Sequence, residues 1–257
     1  NTHSVYVQGN TGNVGIGTSS PDDDLHIANT TQAGATFRLE NTNTSTDTNT
    51  TFGTINFEGN DNSAGANGIR GSIVGKSLST NGAMGLLFST ASAGGSNTER
   101  MRIDSSGNLL VGKTAVSLGA VGVEVKPNGE VRATASGAQA LQLNRLSSDG
   151  TIVDFRKDST TVGSIDAAFG FLSIGNADTG LLFDGTSETI KPWNVSNTSA
   201  RDAAIDLGGS SDRFKDLYLS GASYIPDVRS AGIQYFTHTT DARFRTVHGT
   251  ERMRIDS

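Results

Sequence analysis

Short runs of alternating apolar and polar residues recur along the chain, and this period of two predicts β-strands. The clearest run is TERMRIDS, at 98–105, in which Met101, Ile103 and Glu99 share one predicted face. The opposite predicted face is charged and carries Arg100, Arg102 and Asp104. The pattern therefore predicts a strand with one face for a core and one for solvent.

The residues after TERMRIDS predict its pairing partner. A turn-forming SSGN and the apolar run Leu109–Val111 follow directly, so the sequence predicts a β-hairpin over 100–112. The segment ATFRLE, at 35–40, alternates in the same way and places Phe37 and Leu39 on one side. We therefore expect it to form a further strand.

Helical periodicity is scarce. The best helical pattern is SSDRFKDLYLSG, where Phe214, Leu217 and Tyr218 have the i, i+3, i+4 spacing of one helix face. Asp212 precedes them as a possible N-cap, so one helical turn is predicted there. Segments rich in Asn, Thr, Ser and Gly separate the predicted strands and predict solvated loops at 41–51, 59–68 and 91–97.

Internal repeats divide the chain into modules. TERMRIDS occurs twice, at 98–105 and 250–257. Four further phrases recur in the same order roughly 100 residues apart: ATFRLENT with ALQLNRLS, GTINF with GTIVDF, RGSIVG with VGSIDA, and GLLFST with GLLFDG. We therefore expect an initial hairpin or the end of a preceding module at 1–18, repeat modules at 19–105 and 106–225, and the truncated start of a third module at 226–257.

Large apolar side chains are few for a chain of this length. The sequence has 1 Trp, 4 Tyr and 3 Met but 32 Gly, so a monomer has little apolar surface with which to offset its chain entropy. Plentiful β-branched residues and only 4 Pro argue against disorder. We therefore expect the chain to share its core with copies of itself, and Gly15 and Gly17 to let the backbones approach closely.

Composition also excludes several classes of function. The chain has no Cys, which removes disulfides, thiolate nucleophiles and cysteine-based zinc sites. A formal net charge of −6 disfavours nucleic-acid binding. No apolar run approaches the roughly 20 residues that span a bilayer, so no membrane insertion is expected. There is no signal peptide and no initial Met, and we expect the chain to begin inside a longer protein.

Three phrases carry a resemblance to a known class of protein: GNVGIGTSSPDDDLHI, TERMRIDSSGNLLVG and IDLGGSSDRFKDLYLSG. They resemble the repeat phrases of bacteriophage tail fibre and tail spike shafts of the type that carries a C-terminal self-cleaving intramolecular chaperone. The usual Ser-Asp cleavage point and its following basic stretch are absent. Whether such a chaperone follows Ser257, and whether the receptor-binding tip lies in this segment, stay open.

The resemblance implies an all-β, elongated homotrimeric fibre of repeated small β modules, with hairpins and short strands around a threefold axis and very little helix. It implies a virion location outside the cell. The implied partners are other phage tail or baseplate proteins and a host cell-surface polysaccharide or protein receptor. The expected function is a structural tail fibre in host attachment, with no enzymatic activity and no cofactor.

Two alternatives to this function remain. The first is a tail spike with glycoside hydrolase or lyase activity, for which Asp154, Asp158 and Asp166 are the candidate acids. That chemistry needs two carboxyl groups about 5–10 Å apart beside a sugar groove, whereas outward residues on alternating strands explain the same acids. The second is a bacterial trimeric surface adhesin, which predicts heptad coiled coils that the sequence lacks.

The remaining polar candidates favour structural interpretations. Three adjacent carboxylates at Asp22–Asp24 are candidate calcium ligands, but a solvated turn after Pro21 is the preferred interpretation. The histidines, of which His238 lies near Asp241, lack a nucleophile elbow and convergent ligands, so no catalytic or metal role is expected: His3, His26, His238 and His248. We expect His26 to be exposed opposite its two apolar neighbours.

Aromatic and basic candidates have two interpretations each. Trp193 is either a sugar-stacking platform or a core residue, and the core is favoured. Four arginines can bind anionic sugars but are expected to pair with acids on neighbouring strands or chains: Arg100, Arg102, Arg252 and Arg254 with Glu99, Asp104, Glu251 and Asp256. The sequence therefore assigns no catalytic, metal or cofactor residue, and the ligand-binding residues stay unknown.

Overall fold

The structure is a computed structural model that describes residues 5–29, 32, 34–61, 65–216, 218, 241–245 and 251–256. The chain divides into two units, at 1–144 and 145–257, and the division falls inside the repeat phrase ALQLNRLS. Throughout the described residues the regular structure is strand, and none of it is helix, which confirms the predicted all-β class.

The first unit contains a small sheet and a large one. The small sheet has the order β1-β2-β3, with β1 and β2 antiparallel and β2 and β3 parallel: β1 Tyr6–Val7, β2 Val14–Ile16 and β3 Leu25–Ile27. The large sheet is an antiparallel meander in which every strand pairs with its sequence neighbours: β4 Thr51–Gly59, β5 Gly68–Ser77, β6 Met84–Thr90, β7 Thr98–Ile103, β8 Leu109–Val111, β9 Gly122–Val125 and β10 Val131–Thr134.

The second unit repeats the meander plan. Its larger sheet is also antiparallel and runs in chain order: β11 Gly150–Lys157, β12 Thr160–Ala168, β13 Phe171–Asn176, β14 Thr179–Asp184, β15 Thr189–Asn194 and β16 Ser199–Ala200. A separate two-stranded antiparallel sheet pairs β17 Asp241–Arg245 with β18 Glu251–Asp256. Consecutive hairpins thus build both large sheets, so the contacts that hold each sheet are local in sequence.

The hairpin predicted after TERMRIDS is confirmed. β7 pairs antiparallel with β8, with Arg102 opposite Leu110. The turn between them is organised by the carboxylate of Asp104, which accepts hydrogen bonds from the backbone N–H of Ser106 at 2.9 Å and of Asn108 at 3.0 Å. This side chain therefore supplies the turn chemistry that SSGN predicts, since Asp bonding to backbone two residues on is a common turn device.

A β-bulge interrupts the alternation of TERMRIDS. On β6, Phe88 lies opposite Met101 while the next residue, Ser89, lies opposite Glu99, so Arg100 is the extra residue. The extra residue reverses the phase of the strand, and Glu99 lies on the face of Arg102 instead of that of Met101. The prediction that grouped Glu99 with Met101 and Ile103 is therefore wrong.

The second copy of TERMRIDS has the same backbone irregularity. β18 pairs with β17 so that Phe244 lies opposite Met253 and Arg245 lies opposite Glu251. Arg252 is then the extra residue, at the position that Arg100 occupies in the first copy. The repeated phrase therefore carries a repeated register as well as a repeated sequence.

Two predicted elements are absent from the described residues. The alternating segment at 35–40 forms no strand, because within the described chain no neighbouring backbone pairs with it. The predicted helical turn after Asp212 does not form either. The carbonyl of Asp212 accepts a hydrogen bond at 2.8 Å from the N–H of Gly209, which precedes it, and this reverses the direction of a helical bond. Leu217 lies outside the described residues.

The glycines of NVGIGT approach backbone of their own chain. A Cβ at Gly17 would lie 2.1 Å from the carbonyl oxygen of Ala28, and one at Gly15 would lie 2.3 Å from that of Thr18. Both distances are too short for any side chain. The close approach that these glycines allow is therefore used inside the small sheet, between β2 and the chain that follows it.

Buried apolar residues lie on one face of each large sheet. In the first unit Leu110 is fully buried. In the second unit Trp193, which is 5% exposed, packs with Ala168 and Leu182, and its ring meets that of Phe169 edge to face at 6.0 Å between centroids. Trp193 thus lies in a core, as the favoured interpretation predicts, and its face is closed to a sugar.

Truncation of Leu110 is expected to destabilise the first unit. Leu110→Ala removes a fully buried side chain and leaves a cavity, so we expect a loss of about 2–5 kcal/mol in the free energy of unfolding. Leu118→Ala is the control, because Leu118 is 64% exposed. Urea denaturation followed by circular dichroism measures both. Equal losses in the two variants would contradict the assigned core.

Candidate functional site

The two faces of the first large sheet differ in chemistry. The strand registers place an unbroken apolar row across six strands, in which each residue lies directly opposite the next: Ile55, Ile73, Phe88, Met101, Val111 and Val123. A second row continues on the same side: Leu86, Ile103, Leu109, Val125 and Val131. We name this side the apolar face of the first sheet.

The apolar face is open to solvent in the single chain. Phe57 is 57% exposed and Val131 is 66% exposed, at opposite ends of the face. Between them lies a groove of about 400 Å³ lined by Phe57, Ile73 and Phe88 together with backbone of β5 and β6. Soluble monomers rarely expose a continuous apolar surface of this extent, so this face has the character of an interface.

The opposite face carries both charged and apolar residues, and the chain itself covers the part of it around Glu124. It carries Glu124 and Arg132 on the last two strands, and the segment at 113–118 lies over Glu124. Leu110 and Glu124 are both 0% exposed. The loop thus buries the part of this face around Glu124, while large side chains of the apolar face stay exposed in the single chain.

A buried ion network holds that covering loop. One carboxylate oxygen of Glu124 accepts hydrogen bonds from Lys113 Nζ at 2.8 Å and from the backbone N–H of Ser117 at 2.6 Å, while Arg132 lies 3.7 Å from the other oxygen. The hydrogen bond from Lys113 and then that from Ser117 hold the pKa of Glu124 below its ordinary value. Such a buried carboxylate is tolerable only because it is paired and hydrogen-bonded.

The second large sheet has the same arrangement. Its apolar row crosses five strands: Val153, Ile165, Ile174, Leu181 and Pro192. A further row follows on the same side: Ala167, Leu172, Phe183 and Ile190. Ile190 is 64% exposed and Leu172 is 46% exposed, whereas Asp166 and Ser173 on the other side are buried. We name the exposed side the apolar face of the second sheet.

The candidate acids do not form a two-carboxylate site. Asp154 and Asp166 share the covered face of β11 and β12, but Asp166 is 2% exposed and accepts a hydrogen bond from Ser164 Oγ at 2.8 Å. It is closed to a substrate. Asp158 is exposed, has a left-handed φ of 49° in the turn between the strands, and contacts Lys157.

Asp154 alone faces a cleft. The cleft has a volume of about 440 Å³ and polar walls that include Thr151, Ser164 and Asn176. Asp154 accepts a hydrogen bond at 2.6 Å from Arg156, and this bond holds the pKa of Asp154 below its ordinary value. A glycosidase general acid needs the opposite shift, so Asp154 is unsuited to that role.

The acidic run at Asp22–Asp24 is exposed, in keeping with a solvated turn. Among the described residues, no group of three or more His, Cys, Asp or Glu is placed to hold a metal ion. His26 is less exposed than expected: its side chain is 33% exposed, and its Nδ1 accepts a hydrogen bond at 3.3 Å from the N–H of Asp22. His3, His238 and His248 lie outside the described residues.

Arg102 pairs with one of the predicted acids, but within its own strand and not across neighbouring strands as predicted. Arg102 forms a bidentate pair with Glu99, with Nη2 2.7 Å from Oε2, and the bulge at Arg100 brings the two onto one face of a single strand. The carboxylate of Asp104 is used by its own turn. Side chains of Arg252, Arg254, Glu251 and Asp256 lie outside the described residues.

Sequence reasoning missed the central ion pair. Lys113 and Glu124 are 11 residues apart and belong to no recognisable motif.

Comparison with known proteins adds no family: no protein-family model matches the chain, and no curated protein matches it significantly. The described residues also contain no helix with the length and apolarity to cross a membrane.

Acidification is expected to remove the stability that Glu124 contributes. Because its native pKa lies below its ordinary value of 4.5, that stability is present above pH 4.5 and is lost as the pH falls through the native pKa. Glu124→Gln should therefore unfold at a lower temperature than wild type at pH 7, by more than about 4 °C. The difference should shrink below pH 4.5.

Thermal unfolding between pH 3 and pH 8 measures this dependence. The control is Glu58→Gln, since Glu58 is exposed and its loss should leave the melting temperature almost unchanged at pH 7. A difference between wild type and Glu124→Gln that stays constant or grows on acidification would contradict the assigned role of the carboxylate.

Proposed function

We propose that the chain is part of the shaft of a bacteriophage tail fibre and works as a homotrimer in host attachment. The observation that carries this proposal is the pair of exposed apolar faces, one on each large sheet. The resemblance of the repeat phrases to phage fibre shafts supplies the biological class. The fibre would hold or form a region that contacts a host surface polysaccharide or protein receptor, outside the cell on the virion.

Copies of the same chain suit these faces better than a different partner. Both apolar faces belong to meander sheets built on the same plan, so one mode of association serves both. Three sheets arranged around an axis can turn their apolar faces inward and form a closed prism, which leaves no apolar face uncovered. Burial of apolar surface contributes about 25 cal/mol per Å², and each face offers two rows of side chains.

A structural and adhesive role fits the polar side chains better than catalysis does. Asp166 is buried away from substrate, and Arg156 favours the ionised form of Asp154. On the first sheet, the charge of Glu124 holds a loop through Lys113 and Ser117. We also propose that the fibre binds other phage tail or baseplate proteins, because a shaft must be anchored to the virion. Polysaccharide cleavage and a bacterial surface adhesin remain the competing functions.

The trimer is expected to depend on the apolar face. Native mass spectrometry of wild type should give three times the chain mass of 26.7 kDa. Ile55→Asp places a carboxylate on the apolar face of β4 and should abolish the trimer. Thr54→Asp changes the adjacent residue, which is also exposed but lies on the opposite face, and should leave the trimer intact.

A folded wild-type monomer would overturn the proposed assembly. So would equal effects of Ile55→Asp and Thr54→Asp, because the argument assigns the interface to one face only. Far-ultraviolet circular dichroism of each variant separates loss of assembly from loss of fold.

Attachment without cleavage is the expected behaviour towards host glycans. Purified protein should bind to one or more members of a panel of bacterial surface polysaccharides immobilised on a sensor. Size-exclusion chromatography of each polysaccharide after incubation should show an unchanged chain length. Shortened chains would favour the tail spike alternative, and Asp154→Asn would then test whether this acid, which faces a cleft, is responsible.

A further inference from the structure

Each large sheet has one short edge and one long edge. In the first sheet the edge strands are β10, with 4 residues, and β4, with 9. In the second they are β16, with 2 residues, and β11, with 8. A long edge strand presents a row of unpaired N–H and C=O groups, and folded proteins normally pair or cover it. The long edges of β4 and β11 therefore need an occupant.

An alternating segment precedes each long edge strand. These two segments, 35–42 before β4 and 140–147 before β11, are the repeat phrases ATFRLENT and ALQLNRLS, and we name them the pre-strand segments. Within the described chain neither forms a strand or makes a backbone-to-backbone hydrogen bond. Phe37 is 62% exposed and Leu141 is 71% exposed, whereas Leu39 lies against Gly53 of β4, where an added Cβ would be 2.6 Å from Leu39 Cβ. Two related segments thus have strand-like sequences and no strand partner.

Each pre-strand segment is tied to the start of the long edge strand that follows it. Asn41 Nδ2 donates to the carbonyl of Thr51 at 2.8 Å, and Arg145 Nη1 donates to that of Thr151 at 3.3 Å. These bonds come from side chains, so they fix the end of the segment beside the edge without pairing the two backbones. The segment is held near its own sheet, yet its backbone N–H and C=O groups stay available to pair with another strand.

We propose that each pre-strand segment pairs as an added strand with the long edge, β4 or β11, of a neighbouring copy of the chain. The inference rests on the proposed homotrimer, which brings an identical edge beside each segment. Backbone pairing of this kind adds an extended segment to an exposed sheet edge. It pairs the open side of the edge strand with one side of the added segment, and in 35–42 it brings Phe37 and Leu39 to one face of the added strand.

Strand exchange also explains why a sheet edge so long is tolerated. An unpaired edge of eight or nine residues would recruit other molecules without limit. If three copies each donate one segment and accept one at each sheet, every long edge is filled within a closed assembly. The donated strands then join the copies through backbone bonds in addition to the apolar faces.

Hydrogen exchange on the intact wild-type assembly tests the pairing. Alternate amides within residues 36–41 and 141–146, those that point toward the edge strand, should exchange about 100-fold more slowly than amides of the neighbouring loop at 43–48, because ladder bonds protect them. Native mass spectrometry of the same sample reports the number of copies. A monomer would overturn the proposed function itself. A trimer whose pre-strand amides exchange as fast as the loop would overturn the strand exchange alone.

Photo-crosslinking identifies the partner strand. Phe37 is replaced by p-benzoylphenylalanine, an aromatic side chain that captures its neighbour on illumination, and the products are separated on a denaturing gel. We expect a band at twice the chain mass of 26.7 kDa in which the captured peptide contains residues 51–59. The same replacement at Phe214, which is 66% exposed outside the pre-strand segments, is the control and should give no capture of 51–59.

The remaining outcomes are each decisive. Capture of 51–59 only at the mass of one chain would mean that the segment pairs with its own edge strand, and this overturns exchange between copies. Capture of other peptides alone, in an assembly of confirmed trimeric mass, would mean that something else covers the edge, and this overturns the proposal as well.

Discussion

The constraint on which the rest of the structure depends is the burial of one apolar face per sheet. A meander of short strands brings its apolar residues to one side by simple alternation, and a monomeric domain would cover that side with a second layer. In the first sheet, the segment at 113–118 lies instead on the opposite side, over Glu124. Ile73, Phe88 and Met101 form the centre of a row that no described segment of the first unit covers, while Glu124 is fully buried beneath a loop.

The buried charges have a clear purpose in this arrangement. Lys113 and Ser117 both bind the carboxylate of Glu124, so a single side chain fixes the loop that lies against the polar face. Such a network contributes less to net stability than an apolar core of the same volume, but its directional bonds favour one loop position. With the loop fixed on one side, the apolar side stays clear. In the second unit the equivalent face carries the buried cluster of Trp193, Ala168 and Leu182.

Features that depend on residues close together in sequence were predictable, and features that depend on distant residues were not. The pairing of β7 with β8 was predictable, because alternation and turn chemistry lie within one short stretch. The bulge at Arg100 was not, since it depends on the register with β6. The pair of Lys113 and Glu124 has no signal at all in the sequence. The segment at 35–40 shows the limit most clearly: alternation predicts a strand, but a strand also needs an adjacent backbone, and none of the described residues supplies one.

The bulge in TERMRIDS offers a physical explanation for why this phrase is repeated. A one-residue slip in a β-ladder would move every apolar residue to the opposite face, so a strand that serves an interface must fix its register firmly. In both copies the extra residue is the arginine before the methionine, and the same phenylalanine-to-methionine pairing follows. A repeated module can reuse a face only if it reuses the register. An exact sequence repeat therefore accompanies an identical bulge in the two copies, whereas the other strands, some of which have register shifts of their own, share only similar phrases.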